Sequence, residues 1–273
     1  MAVNRADFDY LSQLVRDRSA IVIEPGKEYL IESRLTSLAR REGFDSLGSL
    51  VASLRANSFN VTHRKVVEAM TTNETTFFRD LHPFEALKRK IVPELTEKLG
   101  AGQRLNIWSA ASSSGQEAYS IAMLLHEHFP AVARSQARIL ATDISQAMLE
   151  RTREGRYSQL EVNRGLPAPL LMKYFERHGL EWRIREDLRR MVEVREFNLA
   201  GDWSQLPPMD IVFLRNVLIY FDQEMKKSIL GKLRRILKPG GYLFLGSAET
   251  LLNLNTSFVR VQAEKSPCYQ LPV

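Results

Sequence analysis

Apolar residues in the first seventy positions recur at helical spacing. Phe8, Leu11, Leu14 and Val15 form one stripe, and Tyr29, Leu30, Leu35 and Leu38 form a second. Gly43 follows the second stripe where a helix C-cap belongs. Asp45 stands where it can cap a third helix carrying Leu47, Leu50, Val51 and Leu54. Val61 to Met70 predicts a fourth. The pattern has no strand signal, so this front segment reads as a small all-α bundle.

The pattern changes after Phe84. Phe84 to Leu99 predicts a helix that Pro93 kinks or breaks, and Gly100-Ala101-Gly102 ends it. Short apolar runs then alternate with amphipathic stretches. Strands are expected at Leu105–Trp108, Arg138–Asp143, Met191–Phe197, Met209–Leu214 and Tyr242–Leu245. Helices are expected at Gln116–Phe129, Gln146–Arg153 and Gln223–Leu237, with a turn at Lys238-Pro239-Gly240-Gly241. Phe258–Val261 and Tyr269–Leu271 pair as a terminal hairpin. Such alternation predicts an α/β fold: a mostly parallel sheet with helices on both faces. Residues 157–190 break the rhythm. Pro167, Pro169, a short helix at Leu170–Arg177 and a strand at Trp182–Arg185 mark an insertion, and surface insertions often carry recognition.

Bulk properties narrow the function classes. The chain has 273 residues, 44% hydrophobic and 26% charged, as in an ordinary globular protein. No apolar run reaches the ~18 residues of a membrane span, and Met1 to Tyr10 lacks the apolar core of a signal peptide. Direct membrane insertion is not expected. A single cysteine, Cys268, excludes an internal disulfide and a cysteine-rich metal site, and it fits a reducing cytoplasm. The net charge of +6 comes from 38 basic and 32 acidic residues. Its basic clusters, such as Arg40-Arg41 and Lys88-Arg89-Lys90, are short. Solvated helix faces and a surface for an acidic partner both explain it.

In a doubly wound sheet, ligands bind beyond the C-terminal ends of the strands. The first such loop, Ser109 to Gln116, is built of serine and alanine with one glycine, Gly115. The G-x-G-x-x-G fingerprint of a pyrophosphate site is absent, so a ligand without phosphate fits better. Asp143 ends the second strand, where a carboxylate can take both ribose hydroxyls; it can equally cap the next helix. Leu237-Lys238-Pro239-Gly240-Gly241 resembles the late motif of class I methyltransferases.

These pieces together resemble the chemotaxis receptor methyltransferases, the CheR family. The resemblance runs through Thr72-Asn73-Glu74-Thr75-Thr76-Phe77-Phe78-Arg79-Asp80 and Ser113-Ser114-Gly115-Gln116-Glu117-Ala118-Tyr119-Ser120. It continues through Ala141-Thr142-Asp143-Ile144-Ser145, Phe197-Asn198-Leu199 and Phe213-Leu214-Arg215-Asn216-Val217-Leu218-Ile219-Tyr220-Phe221. It implies a class I, Rossmann-like S-adenosylmethionine-dependent methyltransferase domain, with a small N-terminal all-α domain and an inserted small subdomain. The implied division is 1–72 as a receptor-facing helical domain, 73–84 as a linker to the cofactor site, and 85–273 as the methyltransferase domain.

The resemblance also implies residue roles. Asn73, Thr75 and Arg79 line the S-adenosylmethionine pocket from the linker. Glu117 meets the methionine ammonium, Asp143 the ribose, and Asn198 and Leu199 the adenine. Arg215 and Asn216 close the site, and Tyr220 lies near the transferred methyl. Plain structural alternatives exist: Glu117 favours a helix dipole, Arg215 suits an ion pair, and Tyr220 suits the core. Arg79 and Tyr220 are the expected catalytic pair, and no metal is expected. The implied reaction esterifies glutamates on the cytoplasmic helices of chemoreceptors, leaving S-adenosylhomocysteine. The protein is then cytoplasmic, recruited to receptor arrays, monomeric and without a nucleic-acid partner. Arg34, Arg40, Arg41 and Arg55, interleaved with Glu28, Glu32 and Glu42, offer a surface to acidic receptor helices. An RNA methyltransferase, suggested by the charge, and a non-catalytic S-adenosylmethionine-binding adaptor are the competing readings.

Overall fold

In a computed structural model of the chain, residues 3–100, 102–252, 254 and 257–272 are described. The front stripes form four helices: α1 (Arg5–Ser19), α2 (Glu28–Arg41), α3 (Leu47–Ala56) and α4 (Val61–Met70). Leu11, Ile31, Leu35, Leu50 and Val66 meet in a core of their own, fully shielded from solvent. Gly43 adopts φ +81°, and the Phe44 N–H returns to the Ala39 carbonyl, closing α2 as expected. The cap of α3 is Ser46 rather than Asp45. Ser46 directly precedes Leu47 in extended conformation, and its hydroxyl and that of Ser49 satisfy each other's backbone N–H.

Pro93 does not break its helix. Segment α5 (His82–Ala86) widens into a π turn (Leu87–Ile91) and continues as α6 (Val92–Glu97). The Val92 N–H bonds the Leu87 carbonyl, so the ladder slips by one residue just before the position that lacks an N–H. The turn expected at Gly100-Ala101-Gly102 includes Ala101, outside the described residues.

The alternating part gives β1 (Leu105–Ala110), α7 (Gln116–His128), α8 (Pro130–Ser135), β2 (Ala137–Asp143) and α9 (Gln146–Glu154). The insertion follows: β3 (Arg156–Ser158), α10 (Gln159–Asn163), α11 (Ala168–Tyr174), β4 (Phe175–His178), β5 (Glu181–Ile184) and α12 (Glu186–Arg189). The helix expected to reach Arg177 stops at Tyr174. Phe175 to His178 instead pairs with β5 across a turn at Gly179, which sits at φ +62°. The insertion is thus a three-stranded antiparallel sheet, β3-β5-β4, where one strand was expected.

The chain then runs β6 (Val192–Glu196), β7 (Met209–Leu214), a 3-10 turn (Leu218–Tyr220), α13 (Gln223–Ile236), β8 (Leu237–Leu245), β9 (Val259–Ala263) and β10 (Ser266–Gln270). The main sheet has the order β6-β2-β1-β7-β8-β10-β9. From β6 to β8 the pairings are parallel, and the terminal hairpin adds two antiparallel strands beside β8. Lys238 to Gly241 is not a separate turn. It lies within β8 as an irregularity, where register jumps from Met209–Leu237 to Ile211–Tyr242. Every residue of β7 is buried, with Ile211 and Phe213 in the core on one face and Val212 and Leu214 on the other. The strand order reverses at β1 and β7, which places the ligand crevice at their C-terminal ends.

Candidate active site

A cleft opens at that reversal, where folds of this kind bind their ligands. All ten residues expected at the site line it: Asn73, Thr75, Arg79, Glu117, Asp143, Asn198, Leu199, Arg215, Asn216 and Tyr220.

The loop after β1 builds one wall. Ala111 and Ser113 both take left-handed backbone, at φ +53° and +51°. Such conformations cost about 1–3 kcal/mol each in a non-glycine residue and cluster where function needs them. Gly115 (φ +90°) leads into α7. A Cβ there would lie 2.6 Å from the Thr152 methyl, so α9 packs where a side chain would project.

Asp143 holds this loop. One of its oxygens accepts the Ser113 N–H at 2.8 Å and the other accepts the Ser145 N–H at 2.9 Å. The cap of α9 is Ser145, whose hydroxyl accepts the Met148 N–H, so Asp143 is not that helix's cap. A carboxylate offers about four acceptor sites, so these bonds leave capacity for a ligand. Burial pushes this carboxyl above the usual aspartate range, although backbone N–H groups of Ser145 and Ser113 pull the other way.

The linker crosses the mouth of the cleft. Phe77 is fully buried edge-on against Tyr157 and Phe175 of the insertion, with ring centres 5.0 and 5.7 Å away. Burying such a side chain contributes about 1.5–3 kcal/mol. Gly165 permits this seat, because a Cβ there would stand 2.1 Å from the Phe77 carbonyl oxygen. The Phe78 N–H donates to the Ser120 hydroxyl, and the Ser113 hydroxyl donates to the Asn73 carbonyl. Phe78, Asp80 and Leu81 have positive φ, so the chain around Arg79 is sharply contorted. The half-buried Arg79 guanidinium donates to the Glu74 carbonyl at 3.1 Å.

Arg215 lies at the centre, its side chain only 2% exposed. One terminal nitrogen meets Glu117 at 2.9 Å; the other meets Asp80 at 2.6 Å and the Arg79 carbonyl at 2.9 Å. Its Nε is buried without a partner among the described residues, a donor left over beside the cleft. Glu117 also accepts the Ser109 hydroxyl. Arg215 therefore ties β7, α7 and the linker into one ionic network. Arg215 is thus engaged by two acids and is not a free cation in the cleft.

Asn198 lines the cleft with its amide already engaged. Its nitrogen donates to the Arg18 carbonyl at 2.6 Å and its oxygen accepts the Ala200 N–H. That bond brings in the end of α1, and Ser19 and Ile21 line the cleft as well. Tyr220 is half-buried, and its carbonyl accepts the Val22 N–H. No signal in the sequence pointed to Ser19 or Ile21, nearly two hundred positions before Asn198 and Tyr220. Phe197, Val217 and Phe221 complete the apolar wall from within motifs already singled out.

Donors and acceptors of this kind suit a zwitterionic nucleoside. Asp143 suits a diol, Glu117 an ammonium, and Arg79 a carboxylate. Ile21, Phe197, Leu199, Val217 and Phe221 give a base an apolar seat. Among the described residues no group of three metal-ligating side chains is assembled, and no helix is long and apolar enough to cross a membrane.

Two arginines expected at a partner surface also make contacts within the front domain. Arg34 donates to the carbonyls of Met70 and Thr71, tying α2 to the end of α4. Arg55 donates to the Ala6 carbonyl and pairs with Asp7. Arg40 and Arg41 stay exposed.

Known proteins match this arrangement from end to end. The family model described as CheR methyltransferase, all-alpha domain, matches residues 6–71, and CheR methyltransferase, SAM binding domain, matches residues 73–266. Chemotaxis protein methyltransferase Cher2 of Pseudomonas putida is 42% identical over 99% of both chains. Chemotaxis protein methyltransferase 1 of Pseudomonas aeruginosa is also 42% identical over 99% of both, and the Vibrio parahaemolyticus chemotaxis protein methyltransferase is 39% identical over 99%. With a helical front domain joined by a contorted linker to the cleft-bearing sheet, and with both family domains matched, the chain belongs to the CheR family of S-adenosylmethionine-dependent chemotaxis methyltransferases.

Proposed function

We propose that this enzyme converts glutamate side chains on the cytoplasmic helices of chemoreceptors into methyl esters. One observation carries the reading: Arg79 from the linker and Tyr220 from the loop after β7 line the same cleft as Glu117 and Asp143.

S-adenosylmethionine supplies an electrophilic methyl group on a sulfonium. The glutamate oxygen forms the new O–CH3 bond as the S–CH3 bond breaks, and the sulfur leaves as the neutral thioether of S-adenosylhomocysteine. A glutamate is already ionised at neutral pH, with an ordinary pKa of about 4.3. No general base is required. Rate enhancement then comes from alignment, worth up to ~7–11 kcal/mol in well-oriented systems.

Arg79 steers the incoming carboxylate as a single positioning contact. A tight two-pronged clamp would draw charge from the nucleophile. Tyr220 shapes the methyl path. Asp143 holds the ribose with its remaining acceptor capacity, Glu117 takes the ammonium, and Asn73 and Thr75 bound the methionine end. Asn198 presents its backbone to the adenine, beside Leu199, because its amide is engaged elsewhere. Asn216 and Arg215 close the floor.

Residues 1–72 face the receptor, residues 73–84 serve as the linker, and residues 85–273 perform the transfer, with the insertion at 157–190. The enzyme acts as a cytoplasmic monomer recruited to receptor arrays. Transfer of tritiated methyl to receptor-containing membranes and to bulk RNA tests the assignment. Base-labile volatile counts from the membranes mark an ester. Stable counts in RNA, or none in either, would sink it in favour of an RNA enzyme or a binding adaptor.

A further inference from the structure

We propose that Glu249 is a positioning residue for methyl transfer, setting the loop after β7 and through it Tyr220. The inference rests on the reading of Tyr220 given above. Glu249 follows β8 and does not line the cleft. Its carboxylate gathers four backbone donors. One oxygen accepts the N–H groups of Asn216 and Gly246, each at 2.7 Å. The other accepts those of Val217 at 2.9 Å and Ile219 at 3.3 Å.

Three of these donors belong to the four residues immediately before Tyr220. That stretch begins with Asn216 in left-handed backbone, φ +57°, a conformation that needs support in a non-glycine residue. Hydrogen bonds to an ionised acceptor are roughly twice as strong as neutral ones, so this carboxylate is suited to fix the turn. Its acceptor sites, about four in number, are then all in use. Glu249 therefore has none to spare for substrate or cofactor, and its effect on the reaction runs through the loop. Beyond the loop, the Tyr220 carbonyl is held by the Val22 N–H at 3.0 Å. Tyr220 is thus fixed from both sides along the backbone.

Gly246 makes the approach possible. A Cβ there would sit 2.6 Å from the Asn216 amide nitrogen and 2.8 Å from the Glu249 carboxylate. Any larger residue at this place would push the Asn216 and Glu249 side-chain ends out of the clamp.

The test uses the full-length enzyme with receptor-containing membranes. Glu249→Gln keeps the size but points an NH2 group at backbone donors. Its kcat is expected to fall about 100-fold, the scale of a misplacement of about 1 Å. Affinity for S-adenosylhomocysteine should fall less than kcat, because Asp143 and Glu117 lie outside the loop and only Asn216 and Val217 of the cofactor's lining lie within it. In a Tyr220→Phe background the same change should cost less than about threefold more, since residues acting through one another are not additive. Gly246→Ala, which leaves the charge in place, should reproduce the loss, and it decides the matter if Glu249→Gln does not fold. Normal kcat in a folded clamp variant overturns the proposal. So does a fully additive loss when Tyr220→Phe is itself slow. Normal kcat in Tyr220→Phe alone removes the role assigned to Tyr220, and the inference with it.

Discussion

Arg215 and Glu117, ninety-eight positions apart, form an ion pair of 2.9 Å beside the cleft, with side chains 2% and 12% exposed. Arg215 also reaches Asp80 and the Arg79 carbonyl, so one guanidinium joins the end of β7 to α7 and to the linker. Losing one member of a buried pair strands the other charge, at a cost of about 3–5 kcal/mol. Arg215→Ala should lower unfolding stability by about that amount in urea titrations, and it should release the linker. Arg215→Lys should recover only part, because an ammonium lacks the fork that reaches both acids. A loss under about 1 kcal/mol would show that water rescues the acids.

Asp143 gives the site a pH dependence of definite sign. Burial raises its pKa in the free enzyme. The folded state then holds the proton more tightly than the unfolded chain, whose aspartate titrates near about 3.9. Between those two values the group's contribution to stability falls as pH rises. Ribose hydroxyls favour the ionised form, so cofactor affinity should rise with pH across the same window. Binding calorimetry with S-adenosylhomocysteine should show weakening on acidification that begins above the ordinary aspartate range. Asp143→Asn should bind weakly at every pH and lose this dependence.

Arg79→Ala should reduce methyl transfer to receptors by about 100-fold, the penalty for a misaligned reacting group. Near-normal turnover with receptor would remove Arg79 from the reaction. Arg79→Lys should restore part of the rate, since charge survives and geometry does not.

Arg40 and Arg41 are exposed members of the arginine set on the front helices. Reversing both to Glu should weaken receptor methylation while affinity for S-adenosylhomocysteine stays unchanged. A parallel fall in cofactor binding would mean that the fold was damaged instead. Exposed charges of this kind act mainly through encounter, so the defect should shrink as salt rises.

Gly165→Ala should destabilise the protein by about 1–3 kcal/mol, from left-handed strain and overpacking together. Its Cβ would meet the Phe77 carbonyl, which is backbone and gives way poorly. The linker should shift with it, so product affinity should drop as well. Urea titration and calorimetry on the same preparation check both effects.

Much of the fold is written in local patterns. The stripes at Phe8 to Val15 and Tyr29 to Leu38 became helices, because a 3.6-residue repeat of apolar side chains has one compact outcome. The run at Met209 to Leu214 became a central strand buried along its whole length. Other features were illegible. β3 is three residues long, too short for a period to show, and β4 falls within the stretch expected to continue the preceding helix. Pro93 announced a kink or a break, and the helix continues past it through a π turn.

By itself the sequence determined a helical front, an alternating sheet, a nucleoside-type crevice without the phosphate glycines, and the family motif from Asn73 to Arg79. Tertiary structure decided which atoms are free to act. It spent the Asn198 amide on α1, Arg34 on the end of α4, and Arg215 on two acids, and it recruited Ser19 and Ile21 to the cleft. The physical reason is range. Periodicity and capping operate within a few residues, whereas these partners are joined only when packing brings distant elements together and each buried polar group must find a mate.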